Sequence, residues 1–201
     1  MKQLIIGLLA LVTAHLLADV FCWKVSDGDT IWVVDESGKR IKIRMNKIDA
    51  PEMNQPFGKE AADRLAELVL GKYVTLDSSG TDQYGRSLDV VFVETNTINH
   101  VKMDVNLQLL KEGLAWQYYT DKTPAYTEAF KNAKAKKIGL WSEPNAKNPY
   151  LWRKEVHHAA PDAEYNKRVV PIPKQKMKCA DGIKKPQQIL YDNMPRHKPS
   201  V

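Results

Sequence analysis

Residues 30–45 read TIWVVDESGKRIKIRM, and they show the clearest strand pattern in the chain. A β-rich segment comes first, a Ser37-Gly38 turn follows it, and basic and apolar residues then alternate strictly from Arg40 to Met45. Alternation with a period of two residues is typical of a strand that buries one face. Ser and Gly are frequent turn residues, because both suit tight backbone conformations. The stretch therefore predicts two strands joined by a short turn.

The segments on either side of this hairpin bring the number of predicted strands to five. Upstream, a β-rich segment at residues 23–25 leads into the turn sequence Asp27-Gly28-Asp29. Downstream, β-branched and apolar residues predict a fourth strand at residues 72–76 and a fifth at residues 87–94. A turn-rich loop separates these last two strands.

About three helices are predicted between and after these strands. Apolar residues recur at helical spacing from Ala61 to Val69, and Gly71 ends this helix. Asp104 is a suitable cap for a second helix, and Thr123-Pro124 opens a third with a cap residue followed by proline in the first turn. Together the elements predict an α+β fold that is mainly β: a five-stranded OB-type Greek-key barrel packed with about three helices.

The first 18 residues have the composition of a targeting segment. Lys2 supplies one positive charge, Leu4 to Leu17 is almost wholly apolar, and small residues that suit a cleavage site follow. This pattern predicts a secretory signal peptide over residues 1–18 and an exported protein, periplasmic or secreted. The uncharged run that begins at Gln3 is 16 residues long, short of the ~20 that a membrane-spanning helix needs. An uncleaved membrane anchor is the alternative.

The net charge of +6 is carried by one end of the chain. From Arg153 onward 11 basic residues face 5 acidic ones, so the preceding part is neutral overall. Prolines interrupt the same segment, and we expect residues 153–201 to be a basic, Pro-rich, disordered tail behind a domain at residues 19–152. A neutral domain argues against a passive binder with a broad basic face. The tail itself would suit tethering to an anionic surface or to DNA.

The chain has two cysteines, Cys22 and Cys179. Export would place them in an oxidising compartment, where one disulfide would join the tail to the start of the domain. Two unpaired thiols are the alternative.

Three short motifs contain residues that suit phosphodiester chemistry. They are VSDGDT at residues 25–30, RMNKIDAPE at residues 44–52 and TDQYGR at residues 81–86. Hydrolysis of an anionic phosphodiester needs a hard cation, fixed positive donors on the phosphate oxygens, and a group that positions or deprotonates water. Each motif alone is also common as a turn, a solvated charge or a hairpin connection. Their joint occurrence in this order, between predicted barrel strands, favours a catalytic interpretation.

These motifs resemble those of the staphylococcal nuclease (thermonuclease) family. Further matches are VNL at residues 105–107, GLA at residues 113–115 and GLWS at residues 139–142, and the resemblance extends roughly from Val25 to Trp152. It implies an OB-type barrel and a Ca²⁺-dependent endonuclease that cleaves DNA and RNA and leaves 3′-phosphate ends. Domains of this type that have lost catalytic residues only bind nucleic acid, so a catalytically weak binding module is the alternative. This chain keeps every acid and arginine of the three motifs.

The resemblance assigns the acidic residues to a metal site. Asp29 and Asp49 match the calcium carboxylates, and Ala50 stands where the family contributes a backbone carbonyl. Asp27 would orient the ligands without binding the metal directly. Glu52 is assigned both to the metal site and to the family's general base, which either abstracts a proton from the attacking water or only orients it. Oxygen donors of this kind suit Ca²⁺.

The resemblance assigns basic and aromatic residues to substrate binding. Arg44 and Arg86 match a phosphate clamp, in which each planar guanidinium can bind two phosphate oxygens. Tyr84, Tyr118 and Tyr119 are candidates for stacking on bases; packing at the rim or in the core is the alternative for these rings. The implied partners are DNA and RNA, single-stranded or locally open, with no stable protein partner and a monomeric state.

Overall fold

The computed structural model describes residues 19–155 and 168–173 of the chain. In chain order the elements are β1 (Asp19–Asp27), β2 (Thr30–Val34), β3 (Arg40–Met45), β4 (Ile48–Asp49), α1 (Gly58–Val69), β5 (Tyr73–Thr81), β6 (Ser87–Asn96), β7 (Val101–Asp104), α2 (Val105–Lys111), β8 (Trp116–Gln117), α3 (Pro124–Ala135), a 3₁₀ turn (Gly139–Ser142) and α4 (Pro149–Glu155). The predicted signal peptide and most of the predicted tail lie outside the described residues.

Five strands close into a barrel. Antiparallel ladders join β3 to β2, β2 to β1, β1 to β5 and β5 to β6, and a parallel ladder between β3 and β6 closes the ring. Strand β7 extends β6 at its other edge, and the two-residue strands β4 and β8 form a separate ladder. The predicted α+β fold with a five-stranded OB-type barrel is therefore confirmed. The three predicted helices correspond to α1, α2 and α3.

The barrel and the helices share one apolar core. Ala61, Leu65 and Val69 recur at helical spacing, are fully buried, and give α1 an apolar face that packs on β1 and α2. Inside the barrel, Ile31 of β2 and Ile43 of β3 are also fully excluded from solvent. The core therefore fixes the ends of β1, β2 and β3, where the acidic motifs lie.

Asn106 connects α2 to the barrel from a completely buried position. Its Oδ1 accepts a hydrogen bond from Val91 N at 3.0 Å, and its Nδ2 donates to Asn46 O at 2.8 Å and to Asp89 O at 3.2 Å. One side-chain amide is thus hydrogen-bonded to backbone groups of β6 and of the turn between β3 and β4.

Replacing this amide is expected to be costly. In Asn106→Ala, the N–H of Val91 and the carbonyl of Asn46 lose a buried partner, and we expect the free energy of unfolding to fall by about 3 kcal/mol. Urea denaturation followed by tryptophan fluorescence measures this loss. Asn132→Ala, at an exposed position on α3, is the matched control and should change stability by less than about 0.5 kcal/mol. Equal effects of the two changes would contradict the role of Asn106.

The structure differs from the predicted tail in two segments. Helix α4 continues through Glu155 and so crosses the predicted boundary at residue 152. Val169 forms a β-bridge with Lys24, and Val170 N donates to Trp23 O at 2.8 Å. Neither segment shows the apolar periodicity that predicts a helix or strand, because each is too short for it. Contacts with residues distant in the sequence hold both segments in place.

Cys22 lies in the core, where burial raises the pKa of its thiol to about 12. Its proposed disulfide partner, Cys179, lies outside the described residues. Within residues 19–155 and 168–173, no helix has the length and apolar character needed to cross a membrane.

Candidate functional site

The turn between β1 and β2 presents Asp29 at the end of the barrel. Asp29 N donates to Asp27 Oδ1 at 3.1 Å, and the Asp29 carboxylate accepts from Thr30 Oγ1 at 3.1 Å and from Ala50 N at 2.7 Å. Gly28 permits this arrangement, since a Cβ at its position would lie 2.7 Å from the Cβ atoms of Ala50 and Ala61. The Asp29 carboxylate is therefore buried and held from two sides.

Arg44 joins Asp29 to Asp49. Its Nη1 lies 2.7 Å from Asp29 Oδ2, and its Nη2 lies 2.7 Å from Asp49 Oδ1. Nη1 also donates to the carbonyls of Met45 and Ile48, both at 3.2 Å. Only 12% of the Arg44 side chain is exposed, and although burial opposes its charge, Asp29, Asp49 and Asp27 raise the pKa of the guanidinium. The structure thus brings two of the predicted metal carboxylates to one arginine.

The site holds more negative charge than Arg44 compensates. Burial, together with the charge of Asp29, raises the pKa of Asp27 to about 7. Burial and then Asp29 also raise the pKa of Asp49, against the opposing effects of Arg44 and Arg153. A divalent cation beside these carboxylates would relieve their mutual repulsion.

The donor set suits a hard cation with an incomplete protein shell. In the part of the chain that the structure describes, no three His, Cys, Asp or Glu side chains converge as a metal-binding group. The Asp29 and Asp49 carboxylates both contact the Arg44 guanidinium, and the backbone N–H of Ala50 donates a hydrogen bond to the Asp29 carboxylate. Ca²⁺ accepts carboxylate, backbone carbonyl and water oxygens together, so these residues fit it if water or phosphate oxygens complete the shell.

Glu52 lies on the loop that follows β4 and is turned towards Arg153. Arg153 Nη1 lies 2.6 Å from Glu52 Oε1, and Arg153 Nη2 lies 3.2 Å from Asp49 Oδ2. The loop is fixed by Gln55, whose N donates to Glu52 O at 2.8 Å and whose Nε2 donates to Lys147 O at 2.7 Å. Glu52 thus shares Arg153 with Asp49 and does not contact Arg44 directly in this arrangement.

Arg153 was not among the sequence candidates. Nothing in the local pattern separates it from the other basic residues near the end of the chain. The one useful observation in the sequence is its position next to Trp152, the last residue of the predicted domain.

Arg86 lies in the turn between β5 and β6, immediately before β6. The parallel ladder pairs Ser87 with Ile43 and Leu88 with Arg44, so Arg86 comes two residues before the residue that pairs with Arg44. Its Nε lies 2.7 Å from Asp82 Oδ2, and its guanidinium carbon lies 5.6 Å from the centre of the Tyr84 ring. The ladder thus brings the turn that bears Arg86 beside β3, and the Arg86 side chain is ion-paired with Asp82 within that turn.

The three candidate tyrosines lie at the surface, around this end of the barrel. Tyr84 and Tyr119 are 75% and 77% exposed. Tyr118 N donates to Lys47 O at 2.8 Å, and the Tyr118 and Tyr119 rings lie 4.9 Å apart. Burial, then Tyr119 and Asp49, raise the pKa of Tyr118. Tyr84 thus lies beside Arg86, and Tyr118 directly follows β8, which pairs with the strand that bears Asp49.

Comparisons with known proteins place this chain among nucleases. The family model described as staphylococcal nuclease homologue matches residues 42–143, which include Arg44, Asp49, Glu52 and Arg86. A Haemophilus influenzae protein named as an uncharacterized endonuclease is 41% identical over 133 residues, which cover 66% of this chain and 71% of the relative. Micrococcal nuclease of Shigella flexneri is 36% identical over 146 residues, which cover 68% of this chain and 80% of the relative.

Proposed function

This chain belongs to the staphylococcal nuclease family, and we propose that it is a calcium-dependent endonuclease that hydrolyses DNA and RNA to 3′-phosphate products. Hydrolysis of nucleic acid follows from the family. The observation that best supports the finer proposal is the single guanidinium of Arg44 between Asp29 and Asp49, beside the loop that bears Glu52.

The acidic residues would hold the cation and the attacking water. Asp29 and Asp49, with the backbone carbonyl of Ala50, would bind Ca²⁺, and Asp27 would keep the Asp29 turn in place through its hydrogen bond to Asp29 N. A bound divalent cation stabilises negative charge on the phosphate and lowers the pKa of coordinated water. Glu52, on the solvent side of the same loop, would orient or deprotonate the water that attacks phosphorus.

The arginines would hold the phosphate. Nη1 of Arg44 is engaged by Asp29 and two backbone carbonyls, whereas Nη2 contacts Asp49 alone, so N–H groups of the same guanidinium remain for a phosphate oxygen. Arg86 would supply a second guanidinium from the turn that precedes β6. Tyr84 and Tyr118, with Tyr119, would stack on bases of an unpaired strand. The leader predicted at residues 1–18 supports action outside the cytoplasm.

Removal of calcium is expected to abolish cleavage. The purified protein should cut single-stranded DNA, duplex DNA and RNA in Ca²⁺, and EGTA should lower the rate by roughly two orders of magnitude or more, because the phosphate loses its main source of charge stabilisation. Added Ca²⁺ should restore the rate. A gel assay with end-labelled strands measures cleavage, and phosphatase treatment of the fragments detects 3′-phosphates.

Two results of the same assay would oppose the proposal. Cleavage that continues unchanged in EGTA would exclude calcium as the required cofactor. Tight binding of the strands in Ca²⁺ without any cleavage would favour a binding module instead.

A further inference from the structure

Residues 147–152, which precede Arg153, are hydrogen-bonded to the loop that bears Glu52. Lys147 O accepts from Gln55 Nε2 at 2.7 Å, and Trp152 Nε1 donates to Asn54 Oδ1 at 3.0 Å. Pro149, at the start of α4, is buried. These contacts come from both ends of the segment, so they set α4 in a defined position and bring the next residue, Arg153, to the acidic site.

Arg153 occupies the carboxylate oxygens that the proposed cation needs. Its guanidinium contacts Asp49 Oδ2 and Glu52 Oε1, while Arg44 contacts Asp49 Oδ1 from the barrel side. Both oxygens of Asp49 are thus covered by guanidinium groups. Arg44 is buried, but 44% of the Arg153 side chain is exposed. Of the two arginines, Arg153 alone approaches from the solvent side and has space into which it can move.

We propose that Arg153 is a third phosphate-binding guanidinium, held on Asp49 and Glu52 until the divalent cation takes these carboxylates. The inference rests on the proposed calcium site. A cation beside Asp49 repels the Arg153 charge and competes for the same oxygens. A nucleic acid strand that enters the site then offers phosphate oxygens, which match a guanidinium as well as carboxylates do. Calcium and substrate are thereby coupled through one side chain.

Calcium binding in the absence of nucleic acid tests the first half of this inference. Isothermal titration calorimetry should show that Arg153→Gln binds Ca²⁺ roughly five- to tenfold more tightly than the wild-type protein, because the competing charge is gone. Lys154→Gln is the matched control: it removes the same charge from the next residue, whose Nζ lies over the Tyr150 ring at 4.5 Å. The control should change Ca²⁺ affinity by less than about twofold. Arg153→Lys keeps the charge without the planar fork and should lie between the wild type and Arg153→Gln.

Steady-state cleavage of single-stranded DNA at saturating Ca²⁺ tests the second half. Loss of a charged phosphate contact in Arg153→Gln should raise KM by about tenfold and leave kcat within about threefold. If Arg153 served only to orient Glu52, kcat would fall and KM would stay near its wild-type value. Thermal melts should show that every variant is folded at the assay temperature.

The outcomes separate this inference from the proposed function. If no variant binds Ca²⁺, the proposed cofactor is wrong and the inference falls with it. If Ca²⁺ activates cleavage but Arg153→Gln binds it no more tightly than Lys154→Gln does, the cofactor stands and the displacement of Arg153 is refuted. Tighter Ca²⁺ binding with an unchanged KM would refute the phosphate contact.

Discussion

Glu52→Gln is expected to lower the cleavage rate by about three orders of magnitude and to leave the fold intact. The carboxamide keeps the shape of the side chain but loses the basic oxygen and the negative charge, and general-base contributions are typically 10²- to 10⁴-fold. The loop backbone should keep its conformation, because residue 52 is held through its backbone. Its N–H donates to Gln55 Oε1, and its carbonyl accepts a hydrogen bond from Gln55 N. Single-turnover cleavage of labelled single-stranded DNA at saturating Ca²⁺ measures the loss.

The matched control for Glu52→Gln is Glu60→Gln. Glu60 is exposed on the first turn of α1, so the control removes the same charge a short distance along the chain. We expect its cleavage rate to stay within about twofold of wild type. Circular dichroism and thermal melting should show that both variants are folded. Near-wild-type turnover in a folded Glu52→Gln protein would remove Glu52 from the catalytic assignment.

Arg86→Ala is expected to lower kcat/KM by about 10²- to 10³-fold. A guanidinium that binds phosphate tightens as negative charge develops, and loss of one such donor costs about 3–4 kcal/mol in the transition state. The turn should survive, because Asp82 Oδ1 accepts the backbone N–H groups of Tyr84 and Arg86 whatever the side chain at position 86. The measurement is initial-rate cleavage across a range of strand concentrations.

Three further variants separate phosphate binding from other effects at this position. Arg86→Lys should recover little activity, since an ammonium cannot form the planar pair of hydrogen bonds. Arg64→Ala removes an arginine of α1 that is ion-paired with Glu112, the residue that follows α2. This change should lower stability without a comparable loss of kcat/KM. Asp82→Asn frees the Arg86 guanidinium but keeps it in the turn. Full activity of Arg86→Lys would show that only a point charge is needed there.

Local pattern was enough to predict the strands and helices of the barrel. The alternation from Arg40 to Met45 gave β3, and apolar spacing with Gly71 gave α1, because each signal depends on neighbours in the sequence. The parallel ladder of β3 with β6 could not be predicted in this way, since its register joins Ile43 to Ser87 across the loop and helix between them. The placement of the Arg86 turn beside β3 depends on that register.

The candidate residues were predictable by type, but their pairings were not. The motifs named Asp29, Arg44, Asp49 and Glu52, yet nothing local shows that one arginine spans the two aspartates. Arg153 was missed because its role depends on α4, which is too short for a periodic signal and is placed by Asn54 and Gln55. Charge and proline content assigned Arg153 to the tail.

The pairing of residues 168–170 with β1 also affects how the protein behaves when it is shortened. Val25 N donates to Arg168 O and Trp23 O accepts from Val170 N, so this segment covers a stretch of sheet margin that β5 does not reach. An uncovered sheet edge exposes unpaired backbone N–H and C=O groups, which can form hydrogen bonds with a strand of a second molecule. A chain trimmed after α4 would expose such an edge beside Trp23, so a shortened protein is safer from self-association if it retains residues 168–173.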